Sequence, residues 1–544
     1  MKKYLSLILS LVLVLSAFSA CAKNEKPATD TDGTTTSTTT TPNTTAPDVL
    51  PEGIEDIESW FTHATLKITG NTRAPRDEVK TTTLLAAKNE SESVQLAFRS
   101  DKDIEGLSLS INGKAEGVTP ELLEVYLIPV GSTYLPDPIV PTEGNFSLVA
   151  KTTKSFLIRF KVENNAEAGD HTYTVDLKYG NEVIDTYTVT LSVMSYALPS
   201  ENFTPIYTAL DRMEIRKKES ITLSESRKML EKYVYFLLDY GVNVTTLPYE
   251  VLDDRADELM SDPRITAFEI DPTLPDDKLL EIYEKLKTNS VWFEKAVFTV
   301  YDEPTTIDHL NEYMTKAKRI AELCPGINIQ CAYYRNIKYD NQNDTVDIIA
   351  RYSDYFCVKS CAWGDGWLAD PLGKGKFADR IKDVAGEDGN IFWYVCWEPR
   401  DPYCNLQIDE NALNHRTLFW QQYYYGVEGL LYWYANYWKL VSDPWTDMAT
   451  VKDLSTTCYG DGSLLYPGKK VGIDGPVASI RLDCMRDGVE DIALLKLAEQ
   501  ELGLEWVMSR VSEVSSSVSK HTTSTQLFGS IRNEILTALN EKLA

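Results

Sequence analysis

The sequence predicts an N-terminal β-sandwich followed by a (β/α)₈-type barrel of the α/β class. Two patterns along the chain support this prediction. Short alternating strands with turn residues between them run from about residue 54 to 193, and from residue 205 onward apolar strand-like runs alternate with amphipathic helices. The first pattern is typical of sandwiches, and about eight strand–helix steps over roughly 300 residues match one barrel. A doubly wound open sheet is the structural alternative.

The boundaries follow from these patterns. We expect a sandwich domain at residues 54–195, a catalytic barrel at 200–502 and a helical extension at 503–544. The sandwich strands are predicted at 82–85, 93–98, 107–111, 155–162, 172–179 and 186–193. A weak eighth barrel strand is expected near 480–482, and Asp487 and Glu490 have the spacing of a capping box at the start of the next helix.

The N-terminus predicts export. Lys2 and Lys3 precede an apolar run at residues 5–18, which is too short to span a bilayer and is followed by Ser19-Ala20-Cys21. We therefore expect a signal peptide at 1–21, with Cys21 lipidated and the body anchored on the outer face of the membrane. Ordinary secretion, with Cys21 incidental, is the alternative. The Thr-rich stretch within residues 22–53 predicts a disordered linker, because it has little to bury.

Composition excludes several classes of partner. The net charge of −27 argues against nucleic acid. Beyond Cys21, the other eight cysteines fall between residues 324 and 484, without the spacing of a zinc site. We expect mostly buried thiols, with a bridge such as Cys357–Cys361 as the alternative. No cofactor and no metal are predicted.

Two neighbouring acids, Asp302 and Glu303, are the candidate catalytic residues. They follow a buried-looking strand at residues 296–301, the third by simple count, although residues 251–270 could contain another. Catalytic side chains of such barrels project from the C-terminal ends of strands. Desolvating two carboxylates there costs free energy, which favours a functional role over a structural ion pair at the barrel rim. Other Asp-Glu pairs, at 77–78, 257–258 and 409–410, lie in polar segments.

Aromatic side chains concentrate at the same strand ends. We predict that substrate is bound by Tyr334, Trp363, Trp397, Trp433, Tyr434, Asn436 and Trp438. Aromatic faces match the apolar faces of sugar rings, although core packing is the alternative for about half of the strand-end aromatics, particularly Trp393 and Trp433. Glu398 is the chief rival acid. Asp365 lies in a loop with two interpretations: it hydrogen-bonds sugar hydroxyls, or it is an ordinary Asp-Gly turn. Carboxylates with aromatics, and without a Ser/His/Asp set, point to glycosidic bonds.

Several segments resemble one enzyme family. They are Tyr301-Asp302-Glu303-Pro304, Arg416 with residues 419–421, and residues 426–433, 436–438, 443–445, 462–468, 479–482 and 486–491. In these segments the chain resembles glycoside hydrolase family 123 and its relatives, often described as the domain of unknown function 4091. The likeness runs from about residue 60 to 500 and is strongest in the last third.

The resemblance implies an exo-acting β-N-acetylgalactosaminidase that retains anomeric configuration through substrate assistance. Glu303 would protonate the leaving oxygen, and Asp302 would orient the 2-acetamido group, whose oxygen attacks the anomeric carbon. From position alone, Tyr334 and Tyr434 are the candidates to hydrogen-bond the acetamido oxygen. The implied partners are a glycan with β-linked N-acetylgalactosamine and, through the lipid anchor, a membrane. A glycosidase for a neutral glycan and a non-catalytic surface glycan-binding lipoprotein are the alternatives.

Overall fold

The computed structural model describes residues 50, 53–77, 79–353, 355–364, 370–386, 390–452 and 456–544. The predicted signal peptide, Cys21 and nearly all of the predicted linker lie outside these residues, as does Asp365. Within the described residues, no helix is both long enough and apolar enough to cross a membrane.

The first part of the described chain is rich in strands, as predicted. Its strands are β1 (Glu58–His63), β2 (Thr81–Lys88), β3 (Glu90–Arg99), β4 (Ile104–Asn112), β5 (Val118–Val130), β6 (Thr133–Pro141), β7 (Asn145–Leu148), β8 (Lys154–Val162), β9 (Gly169–Tyr179) and β10 (Glu182–Ala197). One sheet contains β1-β3-β8-β5-β6, and the other has the order β2-β10-β9-β4-β7. Aromatic rings from the two sheets contact each other. The ring centroid of Phe98 in the first sheet lies 5.5 Å from that of Phe146 and 5.8 Å from that of Tyr187, both in the second sheet.

The first sheet is completed by strands from far along the chain. These are β21 (Leu465–Pro467) and β22 (Pro476–Ser479), and β22 pairs with β6 through Ala478 opposite Ile139. The predicted eighth barrel strand at 480–482 is therefore wrong. Those residues begin a helix, because the Ser479 hydroxyl accepts a hydrogen bond from the Leu482 N–H and caps it.

Eight parallel strands of the described chain form the predicted barrel. They are β11 (Ile206–Thr208), β12 (Asn243–Val244), β13 (Phe268–Glu269), β14 (Ala296–Asp302), β15 (Asn328–Tyr333), β16 (Tyr355–Lys359), β17 (Asn390–Tyr394) and β18 (Gly429–Tyr432). Their order, β12-β11-β18-β17-β16-β15-β14-β13, is circular in sequence, which is the order of a barrel and not of a doubly wound sheet. Strand β13 lies within 251–270, so the acids end the fourth strand and not the third.

The barrel has a seam between β12 and β13. The Asn243 side chain bridges it, donating to the Ala267 carbonyl at 2.9 Å and accepting from the Thr266 N–H at 2.8 Å. One backbone hydrogen bond, from the Glu269 N–H to the Thr245 carbonyl at 2.9 Å, closes the seam further along. The side chain of Asn243 thus supplies hydrogen bonds that a strand ladder would otherwise make.

Helices surround the barrel and continue beyond it. They are α1 (Arg212–Lys218), α2 (Ser226–Asp239), α3 (Ala256–Ser261), α4 (Asp276–Leu286), α5 (Ser290–Lys295), α6 (Ile307–Leu323), α7 (Thr345–Ile349), α8 (Phe377–Ala385), α9 (Ala412–Tyr425), α10 (Ile480–Leu502), α11 (Leu504–Val514) and α12 (Thr525–Leu543). Two short hairpins are β19 (Ala449–Lys452) with β20 (Thr457–Tyr459), and β23 (Ser515–Ser517) with β24 (Lys520–His521). Helix α12 packs on β10 and β2 as well as on α10.

Buried charges fill the junction between the N-terminal sheets and the barrel helices. The described side chains there are Arg159, Arg416, Arg486, Arg532, Glu90, Glu92, Asp483, Asp487, Glu490 and Asp491. Arg532 contacts Glu90 at 2.7 Å, and Arg416 contacts Asp491 at 2.6 Å. The predicted capping box at Asp487 and Glu490 is wrong, since both residues lie inside α10 within this ionic cluster.

Candidate active site

A β-bulge in β14 aims Asp302 into the barrel. Thr299 pairs with Gln330 but Tyr301 pairs with Cys331, so Val300 is an extra residue. Side chains alternate faces along a regular strand, and a bulge shifts this alternation by one residue. Tyr301 consequently packs outward, its ring 5.8 Å from that of His309 on α6. Asp302 pairs with Ala332, which belongs to the cluster of side chains inside the barrel.

Glu303 also faces the barrel, because its backbone leaves the strand in a left-handed conformation. Its φ is +46°, a value that few residues other than glycine adopt, and its N–H still donates to the Ala332 carbonyl at 2.9 Å. The carboxylate Oε1 accepts a hydrogen bond of 2.5 Å from the Tyr394 hydroxyl. Two neighbouring acids, which a regular strand would point in opposite directions, therefore meet at one opening.

A buried lysine lies beside the acid pair. Tyr355, Cys357 and Lys359 alternate along β16, and the first two belong to the cluster inside the barrel. The Lys359 side chain is 2% exposed, with Nζ 3.8 Å from Glu303 Oε1. The same ammonium lies 4.3 Å from the ring centroid of Tyr334 and 5.6 Å from that of Tyr394. Pairing with a carboxylate and two aromatic faces offsets the cost of burying this charge.

The pKa of Asp302 is raised to about 6. Partial burial is the main cause, the neighbouring charge of Glu303 raises the pKa further, and Lys359 opposes both. Asp302 is therefore ionised above about pH 6 and takes up a proton below it. The opening thus contains a carboxylate that titrates just below neutrality, next to a second carboxyl group held by a phenol and an ammonium.

Comparisons with known proteins bear on this pair of acids. Residues 274–498, which include both acids and Lys359, match the family model "Glycoside hydrolase 123, catalytic domain". Most of the barrel is therefore similar to the catalytic domain of glycoside hydrolase family 123. No curated protein sequence matches the chain.

A solved structure agrees in fold with this chain. A structure described as giving the details of glycolipid glycan hydrolysis by a family 123 glycoside hydrolase from Clostridium perfringens superposes with a TM-score of 0.67 at 14% identity. That match covers 89% of this chain and 98% of the other. A Bacteroides ovatus family 5 xyloglucanase matches at 9% identity over 75% of this chain and 98% of its own, with a TM-score of 0.24.

Several of the predicted substrate-binding aromatics lie at the opening. Trp433 and Tyr434, just after β18, are half-buried, and the Trp433 ring lies 5.6 Å from Tyr434 and 4.6 Å from Tyr437. Tyr334 is half-buried against Lys359, and Trp397, after β17, is 39% exposed. These four side chains have accessible surface, and their contact with substrate stays a prediction.

Three other predicted binding residues lie in the core, which corrects the prediction for them. Asn436 is fully buried and exchanges two hydrogen bonds with the backbone of Asp211. Trp438 is also fully buried and donates its indole N–H to the Ser463 hydroxyl at 2.8 Å. Trp363 is 4% exposed and packs 6.2 Å from the Tyr425 ring. These side chains hold the loops around the opening and have almost no surface to offer a substrate.

The rival acid Glu398 and the strand tryptophan Trp393 differ in their exposure. Glu398 is exposed in a turn after β17, where its carbonyl accepts the Cys396 N–H at 3.1 Å. Trp393 is fully buried on β17, as the core-packing alternative predicted.

Lys359, Tyr394 and Asp461 were not predicted from the sequence. The first two are recognisable as inward positions near the C-terminal ends of predicted strands. Asp461 is buried and accepts a hydrogen bond of 3.3 Å from the Trp433 indole N–H. Burial raises the pKa of Asp461 to about 7. Gly462 (φ +65°) passes so close to Trp433 that a Cβ there would lie 2.5 Å from the ring.

The cysteines of the described segments form no disulfide bridge. The eight cysteines of the described segments are free thiols, so the alternative of a Cys357–Cys361 bridge is wrong. Among those residues, no three His, Cys, Asp or Glu side chains are grouped so that they could hold a metal ion.

Proposed function

We propose that this family 123 glycoside hydrolase removes terminal β-linked N-acetylgalactosamine by substrate-assisted, retaining hydrolysis. The observation that carries the proposal is the convergence of Asp302 and Glu303 on one opening of the barrel, produced by the bulge in β14 and the left-handed Glu303. The description of the Clostridium perfringens structure, which concerns glycolipid glycans, supports a glycan substrate.

The two acids act on different parts of the sugar. Glu303 donates a proton to the glycosidic oxygen while the C1–O bond breaks and the acetamido oxygen of the substrate bonds to C1. Asp302, ionised above about pH 6, accepts the acetamido N–H and stabilises the positive oxazolinium ring. Water then attacks C1 and gives its proton to Glu303, and the acetamido group is restored. Two inversions at C1 retain the configuration.

Tyr394 and Lys359 fit this assignment. Both contact the same oxygen of Glu303, Oε1, so Oε2 is the oxygen assigned to carry the proton. Trp433 and Tyr434 offer aromatic faces for the sugar ring, and Asp461 fixes the Trp433 indole.

The test is hydrolysis of aryl β-N-acetylgalactosaminide and β-N-acetylglucosaminide by a soluble body starting at residue 49. Glu303→Gln should lose on the order of 10²–10⁴ in rate, and less where the aryl group leaves without help. Asp302→Asn should lose activity whether or not the aryl group leaves without help, because it weakens the attack of the acetamido oxygen. Hydrolysis of neither substrate by the wild type would refute the proposed activity.

We also propose that the enzyme is exported and anchored by a lipid on Cys21, with the two N-terminal sheets forming a sandwich that braces the barrel. The sequence of residues 1–21 supports the first part, and the ring contacts between the two sheets support the second. Full-length protein should partition into the detergent phase and Cys21→Ser should not. Equal partitioning of both would contradict lipidation.

A further inference from the structure

Asp137, on β6 of the N-terminal sheets, forms a buried ion pair with Arg481 of α10. The Arg481 Nε and Nη2 donate to the two oxygens of the carboxylate at 2.9 and 2.8 Å. Both side chains are at most 2% exposed, and Asp137 also accepts a hydrogen bond from the Tyr466 hydroxyl. A pair that engages both carboxylate oxygens fixes the plane of the guanidinium group.

The remaining terminal nitrogen of Arg481 holds two segments beside the barrel opening. Its Nη1 donates to the Gly460 carbonyl at 2.8 Å and to the Leu406 carbonyl at 3.1 Å. Gly460 has a φ of +76° and passes so close that a Cβ there would lie 2.9 Å from Arg481 Cζ. The Tyr432 hydroxyl, at the end of β18, accepts the Gly462 N–H at 2.9 Å. The turn at residues 460–462 is therefore fixed from both sides.

Both segments contact tryptophans of the opening. Asp461 directly follows Gly460 and accepts the Trp433 indole N–H at 3.3 Å. Gln407, in the other segment, donates to the Trp397 carbonyl at 3.0 Å. A continuous path of hydrogen bonds thus runs from a carboxylate of the N-terminal sheets to the Trp433 ring.

A second side chain from the N-terminal region reaches the same opening. Lys67, which follows β1, donates from Nζ to the carbonyls of Ile408 and Glu410. Burial lowers the pKa of Lys67 to about 8, so this contact is charged at neutral pH. The segment that begins at Leu406 is therefore held at two points from outside the barrel.

We propose that Asp137 is a positioning residue of the active site. It keeps Arg481 in place, and Arg481 holds residues 460–462 so that Asp461 fixes the Trp433 ring at the opening. A guanidinium buried among carbonyls is costly without its carboxylate, so Arg481 keeps this position only while Asp137 pairs with it. The effect on substrate binding rests on the proposed function, whereas the position of residues 460–462 does not.

A double-mutant cycle on the full chain tests this path with an aryl β-N-acetylgalactosaminide. Asp137→Asn keeps the shape of the side chain but replaces one acceptor by an amide donor, so the guanidinium should shift. KM should rise about 3- to 10-fold while kcat changes less than about twofold. In a Trp433→Ala background the same substitution should change KM less than about twofold, because the ring on which it acts is gone.

Asp483→Asn is the matched control. Asp483 lies on the same helix with a side chain 6% exposed, and it pairs with Arg159 of the N-terminal sheets and with Arg486. Its substitution removes the same charge from the same interface and should leave KM unchanged. An equal rise in KM in this control overturns the proposal, as do an unchanged KM in Asp137→Asn and effects of Asp137→Asn and Trp433→Ala that simply multiply.

Hydrogen exchange, read by mass spectrometry, follows residues 460–462 without a substrate. The amides of residues 457–463 should exchange about tenfold faster in Asp137→Asn and at the wild-type rate in Asp483→Asn. If Asp137→Asn does not fold, Arg481→Lys takes its place, because it keeps a cation beside Asp137 but lacks the second donor for Gly460. Equal exchange in the wild type and the variant overturns the proposal.

The two measurements separate the two claims. If the wild type hydrolyses no aryl glycoside, the proposed function fails, and the exchange rates alone decide whether Asp137 positions the segment. If the wild type is active but exchange and KM do not respond to Asp137→Asn, the positioning is refuted and the proposed function stands.

Discussion

Removing the buried ammonium of Lys359 should impair the acid pair more than the fold. The Nζ–Oε1 distance of 3.8 Å corresponds to about 4 kcal/mol at an effective dielectric constant near 20. Because the Glu303 side chain is 31% exposed, screening by water leaves roughly 1–2 kcal/mol. Lys359→Met should therefore lower kcat/KM roughly 5- to 30-fold, since each 1.4 kcal/mol is a factor of ten.

The pH profile distinguishes this role from a structural one. Burial and Glu303 raise the pKa of Asp302 to about 6, and Lys359 lowers it. Wild-type kcat/KM should rise with pH through about 6, as Asp302 loses its proton and can hold the acetamido N–H. Without Lys359 the pKa of Asp302 rises, so this limb should move to higher pH.

The assay measures kcat/KM from pH 4.5 to 8 for aryl β-N-acetylgalactosaminides with good and poor leaving groups. In Lys359→Met, kcat/KM should fall most for the substrate with the poor leaving group, because its departure depends on the proton from Glu303. Lys359→Arg should retain part of the activity, and Lys316→Met is the matched control, since Lys316 lies 5.1 Å over the Tyr301 ring outside the barrel. A Lys359→Met enzyme with wild-type rates and an unshifted acidic limb would refute the reasoning.

Three further predictions concern the same structure. Tyr394→Phe should lower kcat/KM about tenfold, because the hydroxyl that holds Glu303 is lost, and unchanged kinetics would contradict this. Gly462→Ala should raise KM, because its Cβ would displace Trp433 and weaken substrate binding. An unaltered KM would argue against contact between that ring and the sugar. Glu90→Gln should flatten the dependence of stability on pH. Burial raises the pKa of Glu90 to about 7, so the free energy of unfolding of the wild type should fall by roughly 2–4 kcal/mol as pH rises from about 4.5 to 7. Denaturant titrations at several pH values measure this free energy. If it depends on pH equally in both proteins, Glu90 is not the cause.

The sequence alone determined that a strand-rich part is followed by a parallel barrel, and it supplied the candidate acids. Alternating short strands, then apolar runs separated by amphipathic helices, are local patterns with periods of two and 3.6 residues, and they predicted a strand-rich part and a parallel barrel. The general rule that catalytic groups follow barrel strands selected Asp302 and Glu303 as the candidates. The local pattern also misled at residues 480–482, where a capping serine one residue earlier had already started a helix.

Only the tertiary structure decided how the site is built. Whether Asp302 faces the barrel depends on one extra residue in β14, and whether Glu303 joins it depends on a single left-handed backbone angle. Lys359 gains its role only because β16 lies near β14 across the barrel opening, some 56 residues later in the chain. For the same reason Trp433 is half-buried and Trp438 is fully buried, although their sequence contexts are alike. Burial and contact depend on distant segments that fold against each residue, and no local pattern encodes them.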